Sequence, residues 1–186
     1  IETVDVKADE EVVEVTVRVT NTGDTYAGKE VVQVYYSAPD GHIEKPYQEL
    51  AGFGKTELLK PGESQTLKIS FKTASMASYC EKCAAWMLEE GTYYIRVGNS
   101  SRNTKVAAAL SLDKTVVITQ LENMFADTEV LEEIKKNSII PYSYEAEEKE
   151  KAAAPVLVLD PEKFVTEVVE YSQVPEAFSE FKELEK

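Results

Sequence analysis

The sequence predicts a mainly β chain: an antiparallel β-sandwich over residues 1–115, followed by a mostly helical, acidic extension over residues 116–186. Three observations predict it. Between residues 11 and 71, runs of period-two apolar patterning are punctuated by Thr22-Gly23-Asp24, Pro39-Asp40-Gly41 and Lys60-Pro61-Gly62-Glu63, the pattern of short strands joined by turns. Past residue 120 the apolar spacing lengthens to three and four, a helical period. Charge divides at nearly the same place: residues 1–119 hold 17 acidic and 13 basic side chains, a net of −4, whereas residues 120–186 hold 17 and 7, a net of −10.

The strands follow in order. An edge strand is expected from Thr3 to Lys7. In the next, Val13, Val15, Val17 and Val19 alternate with Glu14, Thr16 and Arg18, so one face is buried and the other wet. Asn21-Thr22-Gly23-Asp24 ends it with turn chemistry, Gly23 being able to take positive φ. Residues 31–36 (VVQVYY) are apolar on both faces and predict a central strand. Residues 50–59 follow, where Gly52 and Gly54 around Phe53 suggest a bulge or a close backbone approach. Pro61-Gly62 turns the chain into a strand alternating at Leu67, Ile69 and Phe71. Residues 74–85 read as an irregular or short helical connection, and Glu89-Glu90-Gly91 as the turn of a hairpin between 86–88 and 92–98. Residues 105–112 give a last strand, with Ala107, Ala108 and Ala109 small enough for close sheet packing. Seven or eight strands in this length match an immunoglobulin or fibronectin III-like sandwich.

In the extension, Leu121, Met124, Phe125, Leu131 and Ile134 predict a helix docked on the sandwich or on a neighbouring chain, broken near Asp127-Thr128. Residues 145–154 (EAEEKEKAAA) read as a charged linker, helical or not, that makes few tertiary contacts because burying it forfeits solvation. Residues 156–159 form a short apolar run stopped by Asp160-Pro161. Phe164, Val165, Val168 and Tyr171 fit a helix, as do Phe178, Phe181 and Leu184, and these apolar stripes predict self-association.

The formal charge of −14 argues against non-specific nucleic-acid binding and against an anionic membrane surface, both of which need clustered Lys and Arg. No run approaches the roughly 20 apolar residues of a membrane span. The start has neither Met nor the pattern of a signal peptide, and opens in an expected strand as a piece of something longer would. Cys80 and Cys83 are the only cysteines and His42 the only histidine. A structural zinc site needs four ligands, so the reading is two unpaired, packing thiols, with a local disulfide as the alternative, and no metal or cofactor.

Several ordered motifs carry a family resemblance. They are Val19-Thr20-Asn21-Thr22-Gly23-Asp24, Glu30-Val31-Val32-Gln33-Val34-Tyr35, Lys45-Pro46, Leu50-Ala51-Gly52-Phe53, Lys60-Pro61-Gly62-Glu63, and the Gly91-Thr92-Tyr93-Tyr94-Ile95-Arg96-Val97-Gly98 strand. Together they resemble the fibronectin type III-like domain of family 3 glycoside hydrolases, the β-glucosidases and β-xylosidases, over about residues 12–112. The resemblance implies a non-catalytic accessory module that packs against a TIM-like barrel and an α/β domain, which hold the nucleophile and the acid/base. It further implies a bacterial, permuted-domain member, cytoplasmic, with the extension as connector.

The residues themselves hold no catalytic constellation. Retaining glycosidases need two carboxylates about 5 Å apart in a cleft, and sequence neighbours such as Glu89-Glu90 read as solvated surface. Tyr35, Tyr36, Tyr47, Phe53, Tyr79, Trp86 and Tyr94 are expected as core or interface residues, Trp86 in the core; the alternative is an autonomous carbohydrate-binding module with these rings as a sugar platform. Asn99-Ser100-Ser101 is a glycosylation sequon only for a secreted eukaryotic chain, and His42 reads as a solvated turn residue. Catalytic and metal-binding residues are therefore expected to be none, and substrate-binding residues are unassigned.

Overall fold

Why residues 12–20 make a strand is visible in their burial: Val13, Val15, Val17 and Val19 are all in the core while Arg18 faces water. Each valine gains roughly 1.5–3 kcal/mol on leaving water, and only a period of two puts all four on one side. The computed structural model describes residues 1–123 and 143–170. In it β1 (Glu2–Ala8), β2 (Val12–Thr20) and β5 (Ser64–Lys72) form one sheet in the order β1-β2-β5. The facing sheet contains β3 (Val31–Ser37), β4 (Glu49–Lys55), β8 (Gly91–Ser100), β9 (Asn103–Leu112) and β11 (Val156–Val158), in the order β11-β9-β8-β3-β4. Between them lies the core, where Val13, Val15, Ile69 and Phe71 join one cluster with Val34, Tyr36, Tyr93, Ile95 and Leu110.

The expected sandwich is thus present, and β3 is internal as its two-sided apolar sequence requires. At β4 the glycines act as expected. The β3–β4 register slips between Val34 and Tyr35, and a Cβ at Gly52 would sit 3.0 Å from Ile69 Cγ2, so bare backbone lets β4 close on β5. Gly62 turns at φ 78°. Gly23 does not use a positive φ; the turn is instead set by Asn21, whose Oδ1 accepts the Gly23 N–H at 3.0 Å.

A third, smaller sheet corrects the expected hairpin at Glu89-Glu90-Gly91. β7 (Ala85–Leu88) does not pair with β8; it pairs with β6 (Ser78–Cys80) and β10 (Val116–Gln120), in the order β12-β10-β7-β6, where β12 is Glu167–Val168. Gly91, at φ 134°, carries the chain across from one sheet to the other. Residues 74–85 are more regular than expected: a 3₁₀ turn (Thr73–Met76) leads into β6. Cys80 and Cys83 are joined as a disulfide across the turn from β6 to β7, with Cα atoms 5.2 Å apart, which corrects the expectation of free thiols. That turn brings residues only three apart together, a geometry that composition cannot show.

The described part of the extension is not mostly helical. It holds β10, one seven-residue helix, α1 (Glu147–Ala153), a 3₁₀ turn (Pro161–Lys163), β11 and β12. β11 and β12 pair parallel with β9 and β10, so the chain returns to two open sheet edges and the fold is not purely antiparallel. Edge strands present unpaired backbone groups, and this demand outweighs the weak helical spacing of Phe164, Val165 and Val168. The helical expectations at Met124, Phe125, Leu131 and Ile134, and at Tyr171, Phe178, Phe181 and Leu184, lie outside the described residues. Among the described residues no helix is long and apolar enough to cross a membrane.

Candidate functional site

The outer face of the five-stranded sheet, on the side away from the core, concentrates the polar chemistry of the domain. Inward positions of β8 are Tyr93, Ile95 and Val97, so Tyr94 and Arg96 must point outward. Arg96 is nonetheless only 1% exposed. Its Nε donates to Ser37 Oγ at 2.7 Å, one terminal nitrogen donates to Glu147 Oε1 at 2.5 Å, and the other reaches the Tyr144 hydroxyl at 3.4 Å. The guanidinium also lies 4.7 Å from the centre of the Tyr47 ring.

Helix α1 supplies this cover. Glu147, 3% exposed, accepts from Arg96 and from the Tyr47 hydroxyl at 2.7 Å, and Lys151 closes on it at 3.3 Å from one turn along. Glu150 accepts the Val106 N–H at 3.0 Å and the Tyr144 hydroxyl at 2.5 Å. The expectation that residues 145–154 make few tertiary contacts is therefore wrong. Solvation is lost, as anticipated, but a buried cation that no residue of the sandwich strands neutralises replaces it. Burial pushes the Glu147 carboxyl up; the Tyr47 hydroxyl, Arg96 and Lys151 outweigh that and hold it below the usual carboxylate range. Tyr144 is pushed up to about 12 by burial and by its bond to Glu150.

A second buried pair shapes the long β3–β4 loop. Glu89, expected at the surface, is buried; Lys45 Nζ pairs with it, and the His42 N–H donates to it at 2.7 Å and the Ile43 N–H at 3.3 Å. The loop folds around one carboxylate so closely that a Cβ at Gly41 would collide with it. Burial raises the Glu89 carboxyl, but Lys45 and the two backbone donors outweigh it and lower it overall. A general acid in glycoside hydrolysis needs a raised pKa, and both buried carboxylates are shifted the other way and fully committed to partners. Among the described residues no group of three metal-ligating side chains forms.

The aromatic residues divide. Tyr35 and Tyr36 are buried as expected, and Tyr47 and Tyr94 flank the Arg96 site. Trp86 is not core: it is 44% exposed, on β7, with its ring 5.4 Å from that of Tyr79. On the short β7 strand Ala85 and Leu88 are buried, whereas Trp86 between them is exposed. Phe53 is 70% exposed.

Residues 30–101, from the start of β3 to the end of β8, match the family of the fibronectin type III-like domain. Over these residues the sandwich is similar to the fibronectin type III-like domain. Its relatives are enzymes: β-glucosidase A of Butyrivibrio fibrisolvens is 44% identical over 118 residues, 61% of this chain and 14% of the relative. A β-glucosidase of Ruminococcus albus is 42% identical over 125 residues, 64% of this chain and 13% of the relative. In solved structures, the β-glucosidase of Paenibacillus barengoltzii superposes with a TM-score of 0.65 at 39% identity, covering 69% of this chain and 15% of that one. The chain thus spans only about one seventh of the β-glucosidases it matches, and the resemblance to family 3 glycoside hydrolases seen in the sequence holds.

Proposed function

We propose that this chain is a non-catalytic accessory domain of a family 3 β-glucosidase-like enzyme, packing against and stabilising its catalytic domains. The observation that carries the reading is the match of the sandwich to β-glucosidases of which it spans 14 or 15%. The saturated, acid-shifted carboxylates Glu89 and Glu147 support it, because neither is free to donate a proton. Assay of the purified chain on nitrophenyl β-glucosides is expected to give no turnover above buffer; turnover that vanishes on substituting a carboxylate would overturn the reading.

One observation favours a second reading. Trp86, paired with Tyr79, leaves an indole partly exposed, the kind of ring on which a pyranose stacks in a carbohydrate-binding module. Titration calorimetry with cello- and xylo-oligosaccharides decides between the two: micromolar binding lost in Trp86→Ala would promote this reading.

A further inference from the structure

The outer face of the five-stranded sheet is covered on one half only. One cross-strand row runs Leu50, Tyr35, Arg96, Val106 from β4 to β9, and partners in such a row share a face. At the β8–β9 end α1 covers it through Glu147 and Glu150. At the β4 end Leu50 is 53% exposed, and Phe53, opposite Gln33 on the same face, is 70% exposed. β4 is also an outer strand of its sheet with seven residues, against three in β11 at the opposite edge. A long edge bearing exposed Leu and Phe is a hazard in a free domain and is ordinarily covered.

We propose that the β4 margin, centred on Leu50 and Phe53, is where the catalytic part of a β-glucosidase-like enzyme docks, continuing the cover that α1 begins. This rests on the accessory reading above. The occupant follows from proportion and continuity. The domain is 14% of its Butyrivibrio relative, so most of such an enzyme lies outside it. The α1 contact shows that this same face is already built to be covered. Gly52 and Gly54 approach Ile69 on the core side of β4, and Leu50, Phe53 and Lys55 are its outward side chains, two of the three apolar.

The test exchanges the full chain for the segment it matches in the Butyrivibrio enzyme and compares hydroxyl-radical footprints with those of the isolated chain. Phe53 is expected to be several-fold less reactive in the exchanged enzyme, while Trp86 on the other sheet keeps its reactivity. In parallel, the Leu50→Lys, Phe53→Lys double variant is expected to melt like the wild-type chain. It should bind the Butyrivibrio enzyme lacking its matched segment at least about tenfold more weakly, since a charge is forced into an apolar contact. Equal Phe53 reactivity in both settings, or unchanged binding by the variant, overturns the docking surface and leaves the accessory reading standing. If the wild-type chain neither binds nor restores a folded enzyme, the accessory reading itself fails. Protection of Phe53 by cello-oligosaccharides alone, or a dimer that the substitutions dissolve, overturns the proposal in favour of sugar or of a second copy.

Discussion

Arg96 and Glu147 lie 51 residues apart in sequence and meet at 2.5 Å, both almost wholly buried. The cation is built into strand β8 and its counter-ion arrives from helix α1, far along the chain after β9. A buried charge left alone is far costlier than a buried pair, so the sandwich face and α1 are energetically one unit. Lys151, lying 5.4 Å from the Tyr94 ring, extends the same contact.

Removing one partner tests this directly. Glu147→Ala is expected to destabilise the chain by about 3–5 kcal/mol in urea unfolding, because Arg96 stays buried without a counter-ion. The Arg96→Met, Glu147→Met pair is expected to recover most of that loss, since apolar groups of similar volume avoid the desolvation cost. A loss in Glu147→Ala no larger than that of an exposed substitution such as Glu148→Ala would show that the pair does not hold α1 down.

The β3–β4 loop depends on Glu89 in the same way, but locally. Glu89→Gln keeps the shape and removes the charge that Lys45, His42 and Ile43 share. Faster amide exchange is expected at His42 and Ile43, with exchange in β2 unchanged. Gly41→Ala is expected to destabilise, in place of the gain of about 0.4–1 kcal/mol that a tolerated glycine-to-alanine change gives, because the added methyl meets the carboxylate. Unaltered exchange at both amides in Glu89→Gln would disprove the organising role.

Acid should reveal both pairs. Glu89 and Glu147 have folded pKa values below the ordinary one. A depressed carboxyl contributes stability that is present above its unfolded pKa of about 4.3 and is lost as pH falls through the folded value. Denaturant midpoints are therefore expected to hold down to about pH 5 and to drop progressively below it. In Glu147→Gln that drop should be shallower. Wild-type and variant profiles of equal slope below the ordinary carboxylate range would contradict the assignment.

Much of the sandwich was legible because one physical rule, alternation, governs it. Val13 to Val19 could face the core in only one register, and Gly52 and Gly54 announced the approach of β4 to Ile69. The extension was not legible because its structure is decided by what it meets. Nothing local in Val156, Leu157 and Val158 specifies a parallel pairing with Ala109, Leu110 and Ser111. Ala107, Ala108 and Ala109 did signal that some element approaches β9 closely, and the chain after α1 does so, the Ala109 N–H donating to the Pro155 carbonyl at 2.9 Å. Arg96 was the missed signal. A cation between buried Ile95 and Val97, on a strand internal to its sheet, demands a counter-ion that the sandwich strands do not supply.

The Cys80–Cys83 disulfide closes a very short loop. Chain-entropy arguments give such a loop about 2 kcal/mol at most. Reduction is expected to lower the melting temperature by only a few degrees and to act on β6 and β7 alone. Global unfolding on reduction would mean that the crosslink holds more than its hairpin.

The last prediction asks whether the chain after α1 is tethered or packed. Leu159 directly follows β11, is buried, and belongs to the main core cluster, whereas neighbouring Val158 is exposed. The Leu159 N–H also donates to the Ser111 carbonyl at 2.9 Å, which fixes its register against β9. Deleting a buried leucine side chain costs about 2–5 kcal/mol, through lost transfer energy and the cavity left behind. Surface substitutions stay within about 0.5 kcal/mol. Leu159→Ala is therefore expected to destabilise the whole sandwich, read at β2 amides by hydrogen exchange, while Val158→Ala is silent. Were the segment merely tethered, Leu159→Ala would loosen residues 156–168 and leave Val15 and Val17 protected as before. Protection at β2 separates the two cases, because those valines touch the same core from the opposite sheet.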